Sequence, residues 1–285
     1  MPNITSFLNI NKFNVERQFD IARELKLKRI ILTNSQNNIF DFAELIKNNI
    51  KRNERVYLIN PNIKNHNIGN EIEHQERLNK YSELISNLKG VKYDYIALTL
   101  PKFKNLDEEK ELLLSQIKDY EKLAIQAKVK FILLMQGANQ PTAFGYLINQ
   151  RIDKRRIFYS FNPKEIIAHN YPINTAYRLL RNDIELLIVS DLIDEYPTLV
   201  GKGRIGYFSL FKKFIRDNYV NTIAIDKEFT EFMYNYTPRK IKALFSKKQR
   251  AIKQIFDWSN LQINSSELTD IIKYQINLLE VIFKK

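Results

Sequence analysis

The sequence predicts a closed α/β barrel, (β/α)8, followed by a C-terminal helical extension. Eight short apolar runs alternate with helical patterns up to residue 226, which is typical of a parallel sheet whose strands are joined by helices. Two of the runs are followed by a proline, Pro61 and Pro101, which cannot donate to a strand ladder. Neither a GxGxxG nor a GxxxxGK[ST] segment occurs, so an open nucleotide-binding sheet is the less favoured alternative.

The strand predictions rest on apolar runs of four to seven residues that end in polar residues, glycine or proline. The run Tyr93-Asp-Tyr-Ile-Ala-Leu-Thr99 is an example, and it is followed by Leu100 and Pro101. The predicted strands cover residues 3–8, 29–33, 55–60, 93–99, 129–135, 156–161, 184–190 and 222–226.

The helix predictions rest on apolar residues that recur every three or four positions. Leu113, Ile117, Tyr120 and Ala124 hold this period for several turns, and Asp107 is the predicted N-cap of their helix. Within the barrel, the predicted helices cover about residues 12–27, 41–49, 78–88, 107–127, 142–149, 173–180 and 208–215.

The alternation ends near Phe229, and two further helices are predicted over residues 240–258 and 267–283. The expected organisation is therefore a barrel over residues 1–228 and a helical extension over residues 229–285. We expect the extension to pack on the barrel or on a second copy of the chain, which would make a homo-oligomer.

Composition narrows the classes of function. Lysine and arginine exceed aspartate and glutamate by 45 to 32, a net charge of +13, which attracts phosphates and nucleic acids. The chain is also rich in Lys, Asn and Ile, however, as expected of an AT-rich genome. The absence of cysteine excludes disulfides and thiolate chemistry, and we expect a cytoplasmic protein without a membrane segment.

In a parallel barrel, reacting groups lie at the C-terminal ends of the strands, because the βα loops meet there. The residues at the predicted strand ends are polar but carry few charges. They are Asn34, Asn60, Asn62, Thr99, Lys102, Gln136, Ser160, Asn162, Asp191 and Asp226.

Three consecutive segments carry a family resemblance. They are Asp183-Ile-Glu-Leu-Leu-Ile-Val-Ser-Asp191, Gly201-Lys-Gly-Arg-Ile205 and Asn221-Thr-Ile-Ala-Ile-Asp226. In this order they resemble the last two β/α units of the xylose isomerase-like TIM barrels, a superfamily of sugar isomerases, sugar epimerases and apurinic endonucleases. The resemblance implies a small sugar or sugar phosphate as substrate, a divalent metal, and carboxylates that move a proton next to a carbonyl.

The chain departs from the family pattern at most positions of the metal ligands. Ile188 stands where the resemblance implies a histidine, and Gln136 stands where it implies a glutamate. Ser160 or Asn162 replaces a further acid, and Asp226 replaces the last glutamate. Because Mg²⁺ and Mn²⁺ need several oxygen ligands, usually including charged ones, we expect at most a weakly bound divalent cation at Asp226.

The resemblance leads to a divergent sugar or sugar-phosphate isomerase or epimerase, with Asp226 as the catalytic base and Gln136 as a second catalytic residue. The substrate-binding residues are then Asn162, Asp191, Gly201, Lys202, Gly203 and Arg204, because paired glycines admit a ligand close to the backbone and the cations suit phosphate or carboxylate. Two alternatives remain open, a barrel that binds without catalysis and, less favoured, a nucleic-acid-binding protein.

The nucleic-acid alternative rests on seven cations between Arg239 and Lys253, a stretch without acids. We expect them to form the solvated face of a helix whose buried stripe includes Ile252, Ile255 and Phe256. The three histidines, His66, His74 and His169, fall in predicted loops or on a polar helix face. We expect each of them to be solvated.

Overall fold

The computed structural model describes residues 1–8, 13–35, 38–135, 141–152, 155–235, 246–262 and 267–284. In order along the chain, its strands are β1 (Asn3–Ser6), β2 (Ile30–Thr33), β3 (Val56–Asn60), β4 (Tyr93–Thr99), β5 (Phe131–Leu134), β6 (Ile157–Phe161), β7 (Ile184–Val189), β8 (Asp191–Ile193), β9 (Tyr196–Thr198) and β10 (Thr222–Ile225).

The helices occupy the segments between the strands and the C-terminal end of the chain. They are α1 (Val15–Glu24), α2 (Ile39–Asn49), α3 (Glu71–Asn87), α4 (Leu106–Ala127), α5 (Pro141–Arg151), α6 (Pro163–Ala168), α7 (Ile173–Leu180), α8 (Tyr207–Arg216), α9 (Lys227–Tyr234), α10 (Lys247–Ser259) and α11 (Leu268–Phe283).

Eight parallel strands form one sheet in the order β1-β10-β7-β6-β5-β4-β3-β2. The two ends of the sheet meet at the parallel bridge between Phe7 and Ile31, and the Thr5 hydroxyl donates to the Arg29 carbonyl oxygen at 2.6 Å across the same seam. The predicted (β/α)8 barrel is therefore confirmed.

Three local features differ from the sequence prediction. The N-cap of α4 is Asn105, whose side chain accepts from the Asp107 amide, so the prediction of Asp107 as the cap was wrong by one half-turn. The short helix α6 begins directly after β6 and was not predicted. The hairpin of β8 and β9 inserts between β7 and α8 and was also missed.

The apolar core has two layers, as a filled barrel requires. One layer lies between the strands and the helices and contains most of the buried residues. The other fills the barrel interior, where Phe7, Leu134, Leu186, Ile188 and Ala224 are buried together. The interior is thus packed with side chains, and polar groups are left to the ends of the strands.

The C-terminal helices pack against the barrel. The Gln275 side chain of α11 accepts from the Val200 amide at 3.2 Å, and the Phe283 ring lies 5.1 Å from the Phe211 ring of α8. The Tyr274 hydroxyl of α11 donates to the Trp258 carbonyl oxygen of α10 at 3.0 Å. A domain boundary at residue 228 and pairing with a second copy stay predictions.

Candidate functional site

Asp226 is the buried carboxylate at the C-terminal end of the barrel. It directly follows β10 and has no exposed surface. Its Oδ1 accepts from the Glu228 amide at 3.3 Å and so caps α9. Its Oδ2 accepts from the Asn162 Nδ2 at 3.4 Å and lies 3.2 Å from the Lys164 Nζ. The structure therefore brings together two predicted site residues, Asp226 and Asn162, and adds a lysine.

Lys164 reaches this place because α6 begins directly after β6. The Asn162 Oδ1 accepts from the Lys164 amide at 3.1 Å, and Pro163 occupies the first turn, which favours the start of a helix. The ammonium lies between Asp226 and Glu228, 2.6 Å from the Glu228 Oε2. Burial disfavours the charged amine, but the carboxylates of Asp226 and Glu228 outweigh it, so the pKa of Lys164 is raised.

Sequence reasoning missed Lys164, although a signal was present. Asn162 followed by Pro163 is a common start of a helix, and Lys164 lies in the first turn after this pair. A helix starting at the end of a barrel strand places its first side chains at the catalytic end of the barrel. The apolar periodicity predicts no helix between the strand at residues 156–161 and the helix at residues 173–180.

Asp191 holds the glycine loop by its carboxylate. Its Oδ1 accepts from the amides of Leu192 at 2.9 Å and Ile205 at 3.0 Å. Its Oδ2 accepts from the amides of Gly201 at 3.0 Å and Gly203 at 2.9 Å. Four donors thus occupy a carboxylate that has no exposed surface. These contacts shape the loop, while substrate binding by Asp191 stays a prediction.

Both glycines are required by this arrangement. Gly201 has a φ of +83°, where side chains with a Cβ are strained. A Cβ on Gly203 would collide with the Asp191 carboxylate and the Leu192 carbonyl oxygen. Lys202 and Arg204 are exposed, and the Lys202 Nζ lies 5.5 Å from the centre of the Trp258 ring. Their predicted contact with a substrate is untested.

The described residues at the mouth do not fit a divalent cation. Ile188 has no exposed surface and belongs to the apolar interior, so it supplies no ligand. The Lys164 ammonium lies against Asp226 Oδ2, the oxygen that a metal would need. Within the described ranges, no three His, Cys, Asp or Glu side chains are grouped as metal ligands. The predicted second catalytic residue, Gln136, lies outside the described residues.

The prediction of solvated histidines was wrong for two of the three. His66 is 3% exposed and His74 is 1% exposed. Both lie beside α4, where the His66 Nε2 is 3.1 Å from the Gln116 Oε1 and the His74 Nε2 is 3.2 Å from the Asp119 Oδ2. The sequence pattern missed this because Gln116 and Asp119 lie one turn apart on a helix distant in sequence.

The described part of the basic segment behaves as predicted. Lys247, Lys248 and Arg250 are exposed on α10, while Ile252, Ile255 and Phe256 are buried on the opposite face. The cations at residues 239, 240 and 242 lie outside the described residues. Among the helices that the structure describes, none has the length and apolar character needed to cross a bilayer.

No family model matches the chain, and no curated protein is significantly similar to it in sequence. Solved structures, in contrast, match its fold over most or all of its length. D-psicose 3-epimerase from Clostridium cellulolyticum H10, solved with D-tagatose, superimposes with a TM-score of 0.66 at 12% identity over 100% of both chains. The IolI protein with a bound zinc atom gives a TM-score of 0.66 at 12% identity, also over 100% of both chains.

A family 2 AP endonuclease from Brucella melitensis matches with a TM-score of 0.59 at 11% identity, over 79% of this chain and 92% of its own. The chain has the xylose isomerase-like TIM-barrel fold. The resemblance seen in the sequence is thereby confirmed at the level of fold. Because an epimerase and an endonuclease share this fold, function has to be argued from the site.

Proposed function

We propose that the chain is an isomerase- or epimerase-like enzyme that acts on a small keto sugar, polyol or sugar phosphate. Its chemistry is the removal of a proton next to a carbonyl group, with Asp226 as the base. The observation that carries this proposal is the position of Asp226, a buried carboxylate at the end of the last barrel strand. D-Psicose 3-epimerase, a protein of the same fold, supports a sugar as the substrate class.

The Lys164 ammonium supplies the positive charge that an enediolate oxygen needs. In this proposal it does so in place of a divalent metal, which the surrounding donors do not fit. Lys164 lies between two carboxylates. A movement of its Nζ away from Asp226, together with the half-exposed Glu228 side chain that it already contacts, frees the Asp226 Oδ2 for the substrate proton. Asn162 then orients the substrate by its amide, and Lys202 and Arg204 hold a phosphate or carboxylate group.

One observation favours a second function, a barrel that binds a small polar molecule without turning it over. Asp226 has no exposed surface, and its oxygens already face Asn162, Lys164 and the Glu228 amide. If Lys164 stays in place, the carboxylate serves only to hold the barrel end together. Ligand binding would then occur without proton transfer.

Solvent exchange separates the two functions. The protein is incubated in D₂O with D-psicose or D-tagatose, and incorporation of deuterium next to the carbonyl is followed by proton NMR. We expect exchange that persists in EDTA and falls by about a hundredfold or more in Asp226→Asn. The exposed Asp20→Asn is the matched control. Sugar-dependent line broadening without exchange supports the binding module, and the absence of both removes the sugar proposal.

A further inference from the structure

Arg77 is a buried cation with few partners. It projects from α3, is 2% exposed, and donates from Nη2 to the Thr99 carbonyl oxygen and hydroxyl, both at 2.6 Å. A guanidinium carries five N–H groups, so the one on Nε and the two on Nη1 are left. Neither nitrogen makes a well-aligned hydrogen bond, although the Tyr81 and Tyr120 hydroxyls lie close to the guanidinium. The ion pairs of the described residues do not include Arg77.

The surroundings of Arg77 contain further unpartnered polar atoms. The Gln116 Nε2 donates to the Ile68 carbonyl oxygen at 2.9 Å, so the Gln116 Oε1 is the atom that faces the His66 Nε2. Because an amide oxygen accepts, the His66 Nε2 carries the proton and donates. The Nδ1 atoms of His66 and His74 have no hydrogen-bond partner, and the Tyr120 hydroxyl has none apart from the adjacent Arg77 guanidinium. Buried polar groups are normally satisfied by protein, water or a bound ion, so this concentration points to a ligand.

A cavity of about 190 Å³ lies beside these atoms. Its lining includes the cations Lys64, Arg77 and Lys80, the carboxylates Glu73 and Glu76, and His66. The volume suits a molecule of a few heavy atoms. The unpartnered nitrogens of Arg77 are sealed from solvent, so a ligand meets them after a small shift of the loop at residues 63–66, which forms one wall of the cavity.

We propose that a small oxyanion of the phosphate or sulfate type binds in this cavity against Arg77 and His66. The buried guanidinium supplies the unbalanced positive charge and free N–H donors. Aromatic rings hold it in place, since its carbon lies 5.6 Å from the centre of the Tyr81 ring and 5.7 Å from that of Tyr120. The inference does not depend on the proposed function.

The site lies on the opposite side of the barrel from Asp226. Arg77 is bonded to the end of β4, and three strands separate β4 from β10 in either direction around the sheet. Thr99 connects the site to the barrel end, because its hydroxyl also donates to the Asn65 Oδ1 at 2.5 Å. The anion therefore stabilises the loop between β3 and α3 and does not contact Asp226 or Lys164.

Binding is coupled to protonation of His66. Burial lowers the pKa of His66, and Arg77 and His74 add to this effect against the opposing contributions of Gln116 and Glu73. The His66 Nδ1 is sealed from solvent and has no hydrogen-bond partner. Once the loop at residues 63–66 shifts, an oxyanion therefore binds best when Nδ1 takes up a proton or when the anion brings one. The other charged or titratable groups around the ring are Lys64, Glu76, Lys80, Asp119 and Tyr120.

The test is titration of the full chain with inorganic phosphate, sulfate and acetate at low ionic strength, followed by the imidazole signals in proton NMR. The chain has only three histidines, so His66 is assigned from His66→Gln. We expect phosphate to shift the His66 signal, to raise its pKa and to bind more tightly as pH falls. Acetate, with one charge spread over two oxygens, is expected to bind more weakly.

Arg77→Gln and His66→Gln should each weaken phosphate binding by about tenfold or more, the effect of losing a charge-assisted hydrogen bond. Lys92→Gln, an exposed lysine elsewhere, is the control and should change the affinity by less than about twofold. If Arg77→Gln fails to fold, the shift of the His66 pKa by phosphate in the unaltered chain still decides. Absence of that shift, or equal binding in His66→Gln, overturns the proposal.

Discussion

Lys164 and Arg77 are both buried cations near the C-terminal end of the barrel, yet their surroundings differ. The Lys164 ammonium lies within 3.2 Å of two carboxylates, from Asp226 and Glu228. Arg77 faces the neutral oxygens of Thr99 and two tyrosine rings. A buried charge needs compensation. The buried cation at the barrel end is therefore paired with carboxylates, whereas Arg77 has no carboxylate within ion-pair distance among the described residues.

Replacing Lys164 should have the largest effect on stability. Lys164→Met leaves the Asp226 carboxylate buried without its cation, and we expect a loss of about 3 kcal/mol or more in the free energy of unfolding. The measurement is urea unfolding followed by circular dichroism. The double variant Lys164→Met with Asp226→Leu removes both charges and should recover most of the loss. Lys253→Met, which breaks an exposed pair with Asp257, should cost only about 0.5 kcal/mol.

Replacing Arg77 should have a smaller effect, because its removal leaves no unpaired charge. Arg77→Met loses the two hydrogen bonds to Thr99 and the contacts of the guanidinium with the Tyr81 and Tyr120 rings. We expect a cost of about 1–2 kcal/mol in the absence of phosphate. Unfolding experiments with added phosphate sharpen the comparison, since only the unaltered chain should gain stability from the anion. A larger loss than in Lys164→Met would contradict the comparison.

Lys164 and His66 should lose their contributions to the free energy of unfolding at opposite ends of the pH range. The pKa of Lys164 is raised above its ordinary value of 10.5, so its contribution is complete below that value and is lost as pH rises through the folded pKa. The pKa of His66 is lowered from 6.5, so the unfolded chain takes up the proton first. Stability is then lost as pH falls from 6.5 toward the folded pKa.

Urea midpoints measured across pH for the unaltered chain, Lys164→Met and His66→Gln check these signs. Lys164→Met should flatten the alkaline limb, and His66→Gln should flatten the acid limb. An acid limb that is the same in His66→Gln and in the unaltered chain would show that His66 does not control it.

The internal cation at Lys164 predicts that divalent metals have little effect. Purified protein should lose its metal on dialysis, and neither EDTA nor added Mn²⁺ should change the melting temperature. In Lys164→Ala, the carboxylates of Asp226 and Glu228 are released, so Mn²⁺ should raise the melting temperature of that variant. Stoichiometric Zn²⁺ or Mn²⁺ that survives chelator treatment of the unaltered chain would mean that other ligands hold it.

The sequence was sufficient for the barrel because its periodic patterns are long and local. Apolar runs such as Tyr93–Thr99 predicted a strand with the bounds that the structure gives. The hairpin of β8 and β9 has only three residues in each strand, too few for alternation to be recognised. Helix α6 has six residues and is too short for a helical period, although its cap and proline were visible.

The sequence predicted only part of the candidate site, because local patterns do not reveal contacts between residues that are far apart in the chain. Asp226 and Asn162 could be found because each follows an apolar strand. Lys164 lies 62 positions before Asp226, and nothing in the spacing of the sequence pairs them. The Arg77 cavity depends on contacts between α3, α4 and the end of β4, which no local pattern encodes. A polar residue on a helix, such as His74, is predicted to be exposed as long as the residue that packs against it in the fold is unknown.

The smallest change in the free energy of unfolding is expected on replacing exposed cations, in contrast to the buried cations Lys164 and Arg77. Lys247, Lys248 and Arg250 lie on the solvated face of α10, where water already compensates their charge. Changing all three to glutamine should alter the free energy of unfolding by no more than about 0.5 kcal/mol and leave any sugar-directed activity unchanged.

Nucleic-acid binding by this face should be weak, independent of sequence and abolished by moderate salt, because each phosphate contact contributes about −0.9 to the slope of log affinity against log salt. Filter binding of single- and double-stranded DNA at two salt concentrations measures this for the unaltered chain and the triple variant. Lys89→Gln, an exposed lysine elsewhere, is the control. Tight binding at physiological salt that disappears in the triple variant would instead make α10 a nucleic-acid interface, with exposed charge, rather than buried charge, determining what the chain binds.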